Sequence, residues 1–335
     1  MFNRVYCIGV DVGGTFIKMG LFDEKGDQHR FERLPSNASG PPEALLQNLA
    51  QACRNLMIAA QKAQGRVLAV GLGVAGKLDT KEGTVVFSPN LPNMQGFPLA
   101  PRLQQALEIP VFMENDANVF GLGERWAGQG RDVSNWIGVT LGTGVGGCLV
   151  ADGSLWLGDQ LGFVGEIGHM IIDPDGPLCA CGQTGCLEAH ASGSALVRDM
   201  TEALRHGTPM PTSIEQAILE KSLTAEHVFY AAQAGNPQAR DLFRRMGWAL
   251  GLALGNLFTF LGIQTAILGG GVSQAWPLFF PSLMETLHTR YRMLDATKIK
   301  VYRSTLGAQA PLYGAAHLAW KALRGDSKTP SSKSP

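Results

Sequence analysis

The feature that most constrains the fold is a strand–glycine turn–strand pattern that occurs twice in the chain. The first copy covers residues 5–23, where VYCIGV leads into DVGGT and then FIKMGLFD. The second begins near residue 136, where WIGVT leads into LGTGVGG and then CLVADG. Because each copy opens one half of the chain, we interpret the sequence as an internal duplication. It predicts two α/β domains with a cleft between them.

Apolar periodicity predicts the elements that complete these halves. The predicted helices lie at 42–64, 117–127, 192–205, 213–232, 240–261 and 311–324. The predicted strands lie at 67–74, 111–114, 265–268 and 299–303. We assign a small lobe to 1–115 plus 311–324 and a large lobe to 116–310. The polar tail 325–335 is expected to be disordered.

Composition excludes several classes of protein. At 335 residues the chain is long enough for two domains of ordinary size. It carries 28 basic and 28 acidic residues, so no net charge favours nucleic acid or an anionic membrane. The uncharged stretch 246–284 is interrupted by glycines and polar residues, so we interpret it as a buried helix and strand rather than a membrane span. Because no secretory signal pattern precedes the first strand, we expect a cytoplasmic protein.

A compact cluster of metal-ligating side chains lies in the second half. His169, Cys179, Cys181 and Cys186 fall within 18 residues. Three thiols and one imidazole form the ligand set of a closed, four-coordinate structural zinc site. The alternatives are ordinary buried thiols or a disulfide, although three cysteines within eight residues are hard to explain as core residues.

The first glycine turn carries groups that suit a phosphate. Asp11, Gly13, Gly14, Thr15 and Lys18 lie on a predicted hairpin. Amides exposed at such a turn can donate to phosphate oxygens, and the aspartate can reach magnesium directly or through water. The alternative is a tight hairpin whose aspartate only caps the turn.

The second copy repeats this turn at Gly142, Thr143 and Gly144, so that two turns could hold a triphosphate from both sides. A further glycine run that includes Gly270 and Gly271 follows a predicted strand, where a nucleoside could lie against bare backbone. The second turn formally matches GxGxxG, but a strand follows it where a dinucleotide site requires a helix. The GxxxxGK[ST] phosphate loop is absent from the sequence.

Acidic groups supply the remaining candidates. The motif ENDAN at 114–118 places Asp116 at the end of a predicted strand, where a carboxylate can accept a hydroxyl proton. The alternative role of Asp116 is to cap the following helix. If zinc holds His169, the same loop would present Glu166 and Glu188 rigidly to the hydroxyls of a sugar.

Taken together, the motifs resemble the ROK family (repressors, open reading frames and sugar kinases). DVGGTFIK, ENDAN, LGTGVGG, GEIGH, CACGQTGCLE and LGGGV occur in the order of that family, across about residues 5–320. The sequence is most similar to the bacterial glucokinases of the family. The resemblance implies an actin-like, ribonuclease-H-like fold of two α/β lobes around a cleft.

The resemblance also implies a reaction, in which the γ-phosphoryl group of ATP is transferred with magnesium to a hexose hydroxyl. It makes Asp116 the catalytic base and His169, Cys179, Cys181 and Cys186 the zinc ligands. The residues implied at the sugar are Gly76, Asn90, Asn115, Asp116, Glu166, His169 and Glu188. It further implies a homodimer or homotetramer.

Several alternatives stay open at this point. Kinases of N-acetylmannosamine, N-acetylglucosamine, fructose or allose need similar hydroxyl contacts, so the motifs do not identify the sugar. A sugar-responsive repressor is disfavoured, because the strand leading to Asp11 leaves no space for an N-terminal helix-turn-helix domain and the net charge is zero. A non-catalytic sugar-binding relic is disfavoured because Asp116 and both glycine turns are retained.

Overall fold

The structure is a computed structural model that describes residues 4–158 and 164–325. Two compact units share the chain. The first comprises Met1–Val133, Gly153–Val164 and Gln309–Pro335, and the second comprises Ser134–Asp152 and Gly165–Ala308. The tail expected to be disordered lies, apart from Gly325, outside the described residues.

The elements follow the chain in this order. Up to residue 133 they are β1 (Arg4–Val12), β2 (Phe16–Phe22), β3 (Gln28–Pro35), α1 (Pro42–Lys62), β4 (Gly65–Val74), β5 (Lys77–Asp79), β6 (Thr84–Phe87), α2 (Leu99–Leu107), β7 (Val111–Asn115) and α3 (Asp116–Ala127). Beyond it they are β8 (Trp136–Leu141), β9 (Val145–Ala151), β10 (Ser154–Leu155), α4 (Glu188–Ala191), α5 (Gly193–Arg205), α6 (Thr212–Leu219), α7 (Ala225–Gln233), α8 (Pro237–Leu261), β11 (Thr265–Gly269), α9 (Trp276–Arg290), β12 (Lys300–Arg303) and α10 (Ala310–Leu323). Short 3-10 turns lie at Pro92–Met94, Ile167–His169, Gly271–Ala275 and Gly307–Gln309.

The first unit is built on a five-stranded sheet in the order β3-β2-β1-β4-β7. The β1–β2 and β2–β3 pairs are antiparallel, whereas β4 lies parallel to both β1 and β7. Side chains alternate across β1, so Ile8 and Val10 join the core cluster that contains Leu49 of α1. Cys7 lies on the other face, in a cluster with Trp320 of α10. The predicted hairpin at 5–23 is therefore confirmed, with helices on both faces of its sheet.

Glycines on neighbouring strands let α10 lie directly on this sheet. Gly9 of β1 pairs in register with Gly71 of β4. A Cβ on Gly71 would lie 1.8 Å from the carbonyl oxygen of Ala315, and one on Gly9 would lie 2.3 Å from that of Leu312. Contacts this short leave no space for a side chain, so both positions require glycine.

The second unit contains a sheet in which β9, β8, β11 and β12 are neighbours in that order. The β8–β9 pair is an antiparallel hairpin, and β11 is parallel to both β8 and β12. This repeats the arrangement of β2, β1 and β4, as the duplicated sequence pattern predicts. The uncharged stretch supplies most of α8, all of β11 and much of α9, which bury Leu250, Phe258 and Phe279 in one core cluster. In the parts that the structure describes, no helix is both long and apolar enough to cross a membrane.

Two sequence-based boundaries differ from the structure. The single helix predicted at 213–232 is two helices, because Lys221 adopts a left-handed φ of 54° and Thr224 forms a capping box with His227 that starts α7. The expected division before Asp116 also differs, since the first unit continues to Val133. The physical reason is that α3 packs closely against α10, so the two helices belong to one compact body.

The α3–α10 contact leads to a prediction. A Cβ on Gly314 would lie 1.6 Å from the carbonyl oxygen of Val119. Gly314→Ala should therefore destabilise the protein by about 1–3 kcal/mol or more, although alanine is the better helix former. Urea unfolding measures this change, and Gln61→Ala on the exposed face of α1 is the control, expected within about 0.5 kcal/mol of wild type. A Gly314→Ala protein as stable as wild type would contradict the close packing.

Candidate functional site

Strand register brings the predicted residues of the first unit to one edge of its sheet. In the parallel pairs, Val12 of β1 aligns with Val74 of β4, and Val74 aligns with Asn115 of β7. The three strands therefore end at the same level. The hairpin turn after Val12, the turn at Gly76 and the start of α3 all follow from that edge, which is where ligand sites of α/β sheets usually lie.

Two pairs of predicted residues are in direct contact there. The side-chain Nδ2 of Asn115 donates to the carbonyl oxygen of Gly76 at 3.0 Å. Gly14 lies against Asn90, because a Cβ on Gly14 would be 2.9 Å from the Asn90 carbonyl oxygen. The hairpin turn is further held by Ser36, whose amide donates to the Thr15 carbonyl at 3.0 Å. The residues implied at phosphate and at sugar in this unit therefore adjoin one another.

Asp11 and Lys18 form an ion pair across the hairpin. Lys18 Nζ lies 3.1 Å from Asp11 Oδ2, and the aspartate side chain is 15% exposed. Burial raises the pKa of Asp11, and the charge of Lys18 opposes that rise. A carboxylate oxygen is the donor that magnesium prefers, so Asp11 has the chemistry to hold this ion, with Lys18 competing for one oxygen.

Two adjacent residues at the start of α3 have different roles: the first caps the helix, and the second is an acid. Asn115 is the N-cap of α3, and its Oδ1 accepts from the amides of Ala117 at 2.9 Å and Asn118 at 3.3 Å. Asp116 occupies the first helical position, where it also accepts from the Ala117 amide at 3.0 Å. The capping role considered for Asp116 is therefore filled by its neighbour. Glu114 is buried beneath them, and burial raises its pKa.

The glycine turn of the second unit is hydrogen-bonded to the start of α5. Gly193 donates its amide to the Gly142 carbonyl at 2.8 Å, and Ser194 donates to the Thr143 carbonyl at 3.2 Å. Gly142 itself donates to the Gly144 carbonyl at 3.0 Å, which closes the turn.

A cavity of about 810 Å³ opens beside this turn. It brings together Gly142, Thr143 and Gly271, three of the predicted nucleotide-binding residues, and Gly270 immediately precedes the last of them. Apolar and polar side chains that sequence reasoning missed line the rest, namely Val197, Arg198, Leu223, Thr224, Glu226, Phe229, Tyr230, Val272 and Gln274. They come from α5, from α7 and the two residues before it, and from the 3-10 turn Gly271–Ala275, and no local spacing marks them. The volume suits a nucleoside.

The predicted zinc ligands converge. The ligand atoms of His169, Cys179, Cys181 and Cys186 all lie within 4.8 Å of one another. Cys181 Sγ is 3.7 Å from Cys186 Sγ, and Cys179 Sγ is 3.8 Å from His169 Nδ1. Tetrahedral zinc with bonds of about 2.3 Å to sulfur requires sulfurs about 3.8 Å apart. The four side chains therefore fit a zinc ion, with the other histidine nitrogen, Nε2, directed elsewhere.

The two flanking acids have different surroundings. Glu166 Oε2 lies 3.9 Å from His169 Nε2, its side chain is half exposed, and burial raises its pKa. Glu188 begins α4, and its Oε2 accepts the Val145 amide at 2.9 Å, directly beside the glycine turn. The sequence analysis did not predict this contact between Glu188 and the turn.

Known proteins are similar to this chain over most of its length. The chain is 33% identical over 317 residues to a glucokinase of Halalkalibacterium halodurans, covering 94% of each chain. A solved ROK family glucokinase from Streptomyces griseus, in complex with glucose and AMPPNP, matches with a TM-score of 0.77 and 33% identity, over 94% of this chain and 99% of that one. A xylose repressor of Caldicellulosiruptor bescii is 29% identical over 307 residues, covering 92% of this chain and 76% of the repressor.

The two units accordingly have the two-lobed, actin-like and ribonuclease-H-like architecture expected from the motifs. The family model described as "ROK family" matches residues 7–322, which takes in both glycine turns, the ENDAN helix start and the cysteine cluster. The chain therefore belongs to the ROK family.

Proposed function

We propose that this protein is an ATP-dependent hexose kinase that phosphorylates the 6-hydroxyl of glucose. Its family and its similarity to glucokinases support a sugar kinase. The observation that carries the proposal is the start of α3, where Asn115 caps the helix and Asp116 stands beside it as an acid at the carboxyl edge of the sheet. This is the place and the chemistry that a general base requires.

In the proposed reaction the 6-hydroxyl oxygen attacks the γ-phosphorus of ATP, and Asp116 accepts the hydroxyl proton. The bond from the γ-phosphorus to the bridging oxygen breaks, and ADP leaves with the electron pair. The proton on Asp116 then passes to solvent. Phosphoryl transfer depends on positioning and charge neutralisation more than on covalent catalysis, so a single orienting base is sufficient.

We assign the nucleotide to the two glycine turns and to the cavity of the second unit. The nucleoside would lie among Gly270, Gly271 and the apolar lining, with phosphates at the turns of residues 13–15 and 142–144. Asp11 would hold magnesium directly or through water, and the ion would neutralise charge on the phosphate oxygens.

The resemblance to the family also implies residues that bind the hexose. We assign its hydroxyls to the side chains and backbone groups of Gly76, Asn90, Asn115, Asp116, Glu166, His169 and Glu188. The contact of Asn115 with Gly76 and that of Asn90 with Gly14 support a common binding surface in the first unit. Zinc on His169 Nδ1 would leave Nε2 for a hydroxyl or for Glu166.

A sugar-responsive regulator is the second candidate, because a xylose repressor is also similar to most of this chain. The cavity beside Gly142 and Thr143 favours the kinase, since a regulator that senses only sugar has no need of a nucleoside site. A coupled assay of ATP consumption over a hexose panel distinguishes the two. Absence of phosphorylated product from every hexose would refute the kinase.

Asp116→Asn should fold normally and bind hexose, yet lose about 10²–10⁴-fold in kcat. Because Asn115 holds the helix cap, the free energy of unfolding should stay within about 0.5 kcal/mol of wild type. Asn115→Ala is the matched control for the cap and should cost about 1 kcal/mol. Steady-state kinetics and urea unfolding measure both effects. An Asp116→Asn enzyme with kcat within a few-fold of wild type would refute the base.

The chain should bind about one zinc ion per subunit, because three thiols and one imidazole converge. Cys181→Ser should lower the zinc content, the melting temperature and the hexose affinity, since the loop that carries Glu188 loses its anchor. Cys148→Ala, a buried cysteine of β9 outside the cluster, is the control that should keep full zinc content. Elemental analysis of protein prepared without a histidine tag gives the stoichiometry. Metal-free protein with full activity would contradict this assignment.

Glucose should be phosphorylated with a higher kcat/KM than N-acetylmannosamine. A pocket shaped for a 2-hydroxyl clashes with an acetamido group, and the polar groups that bind the hydroxyl lose their partner. The similarity to glucokinases supports this choice. Initial rates with each sugar at saturating ATP test it. An N-acetyl sugar that exceeds glucose by tenfold or more would overturn the substrate and leave the kinase chemistry intact.

We expect a homodimer or homotetramer. Many apolar residues of the uncharged stretch are buried within the second unit, but Phe260 of α8 is 86% exposed. Met293, which follows the stretch, is 90% exposed. Both line one cavity of about 520 Å³, where a second copy would remove apolar surface from water. Sedimentation velocity at micromolar concentration should give a multiple of 35.8 kDa. A monomer at that concentration would contradict this expectation.

A further inference from the structure

Glu188 contacts both the second glycine turn and the cysteine cluster. Its Oε2 accepts the Val145 amide at 2.9 Å, at the end of the glycine turn. Its Oε1 lies 3.8 Å from Sγ of Cys179, a predicted zinc ligand. One carboxylate therefore spans the distance from the cysteine cluster to the backbone of the turn.

The chain around Glu188 makes the same connection. Cys186, another predicted ligand, lies two residues before it and is fully buried. After α4, the amides of Gly193 and Ser194 donate to the Gly142 and Thr143 carbonyls at 2.8 and 3.2 Å. The segment 186–194 is thus attached to the metal cluster at one end and to the turn at the other.

The contact of the carboxylate with the turn is close. A Cβ on Gly144 would lie 2.3 Å from Glu188 Oε2, so the carboxylate packs against bare backbone. The Val145 amide donates to Glu188, and this hydrogen bond fixes the direction in which the chain enters β9 from the turn. A turn that must present amides to a phosphate depends on such fixed geometry.

We infer that Glu188 is a positioning residue through which the zinc cluster holds the Gly142–Gly144 turn in its nucleotide-binding conformation. Loss of the metal or of this hydrogen-bond acceptor then weakens nucleotide binding even when no sugar is present. The identity of the nucleotide rests on the proposed function, whereas the connection rests on the contacts of Glu188 within the second unit.

The first test measures the affinity for AMP-PNP with magnesium chloride by calorimetry, without sugar, on zinc-loaded protein. Glu188→Ala removes the acceptor of the Val145 amide and should weaken binding about three- to tenfold, the effect of one lost hydrogen bond. Glu188→Gln keeps an acceptor oxygen of the same reach and should bind within about twofold of wild type. Wild-type affinity in Glu188→Ala would overturn the inference. Equal weakening in both variants would also overturn it, because charge and not the hydrogen bond would then be responsible.

The second test is a double-mutant cycle with Cys181→Ser, which depletes the zinc site at its exposed ligand. If zinc acts on the turn through Glu188, Cys181→Ser weakens AMP-PNP binding in wild type and adds little in Glu188→Ala. Additive effects would refute the coupling. A wild-type protein that phosphorylates a hexose while Glu188→Ala binds AMP-PNP normally refutes this inference alone. A wild-type protein that neither binds AMP-PNP nor phosphorylates any hexose refutes the proposed function as well.

Discussion

The parallel pairing of β1, β4 and β7 is the constraint on which the candidate site of the first unit depends. Its register aligns Val12, Val74 and Asn115, so three separate connections begin at one edge of the sheet. Each connection then supplies a different chemical group: amides from the hairpin turn, a carbonyl from Gly76 and an acid from the start of α3. A shift of one residue in any pair would send the following connection from the opposite face.

The second unit has the same hairpin topology, but different groups hold its turn in place. The turn between β8 and β9 is held by residues outside it. The amides at the start of α5 donate to its carbonyls, and Glu188 accepts the amide of Val145, which follows the turn. The cysteine cluster lies at the beginning of that segment. The predicted zinc ligands and the second glycine turn are therefore joined by one connected piece of backbone, and such indirect support is a common way to make a loop rigid.

The sequence predicted those parts that depend on local pattern. Both hairpins, the long helices α1 and α8 and the convergence of the four predicted zinc ligands follow from periodicity and spacing. The lining of the cavity could not be predicted, because Val197, Phe229 and Val272 meet through packing of elements far apart in the chain. The split of 213–232 depended on one left-handed residue, Lys221, in an otherwise helical pattern. The first unit continues past Asp116 to Val133, because α3 packs against α10, which lies almost two hundred residues later in the chain.

The late position of α10 in the chain affects how the protein folds during synthesis. The sheet face that carries Gly9 and Gly71 receives its cover from α10, which begins at Ala310. On the ribosome this apolar face is synthesised early and stays open to solvent until the chain has passed residue 323. Most of the second unit lies between these two points and can complete its core first. The strands that are synthesised first are thus expected to complete their packing last. A chain released before α10 would expose the surface that this helix covers.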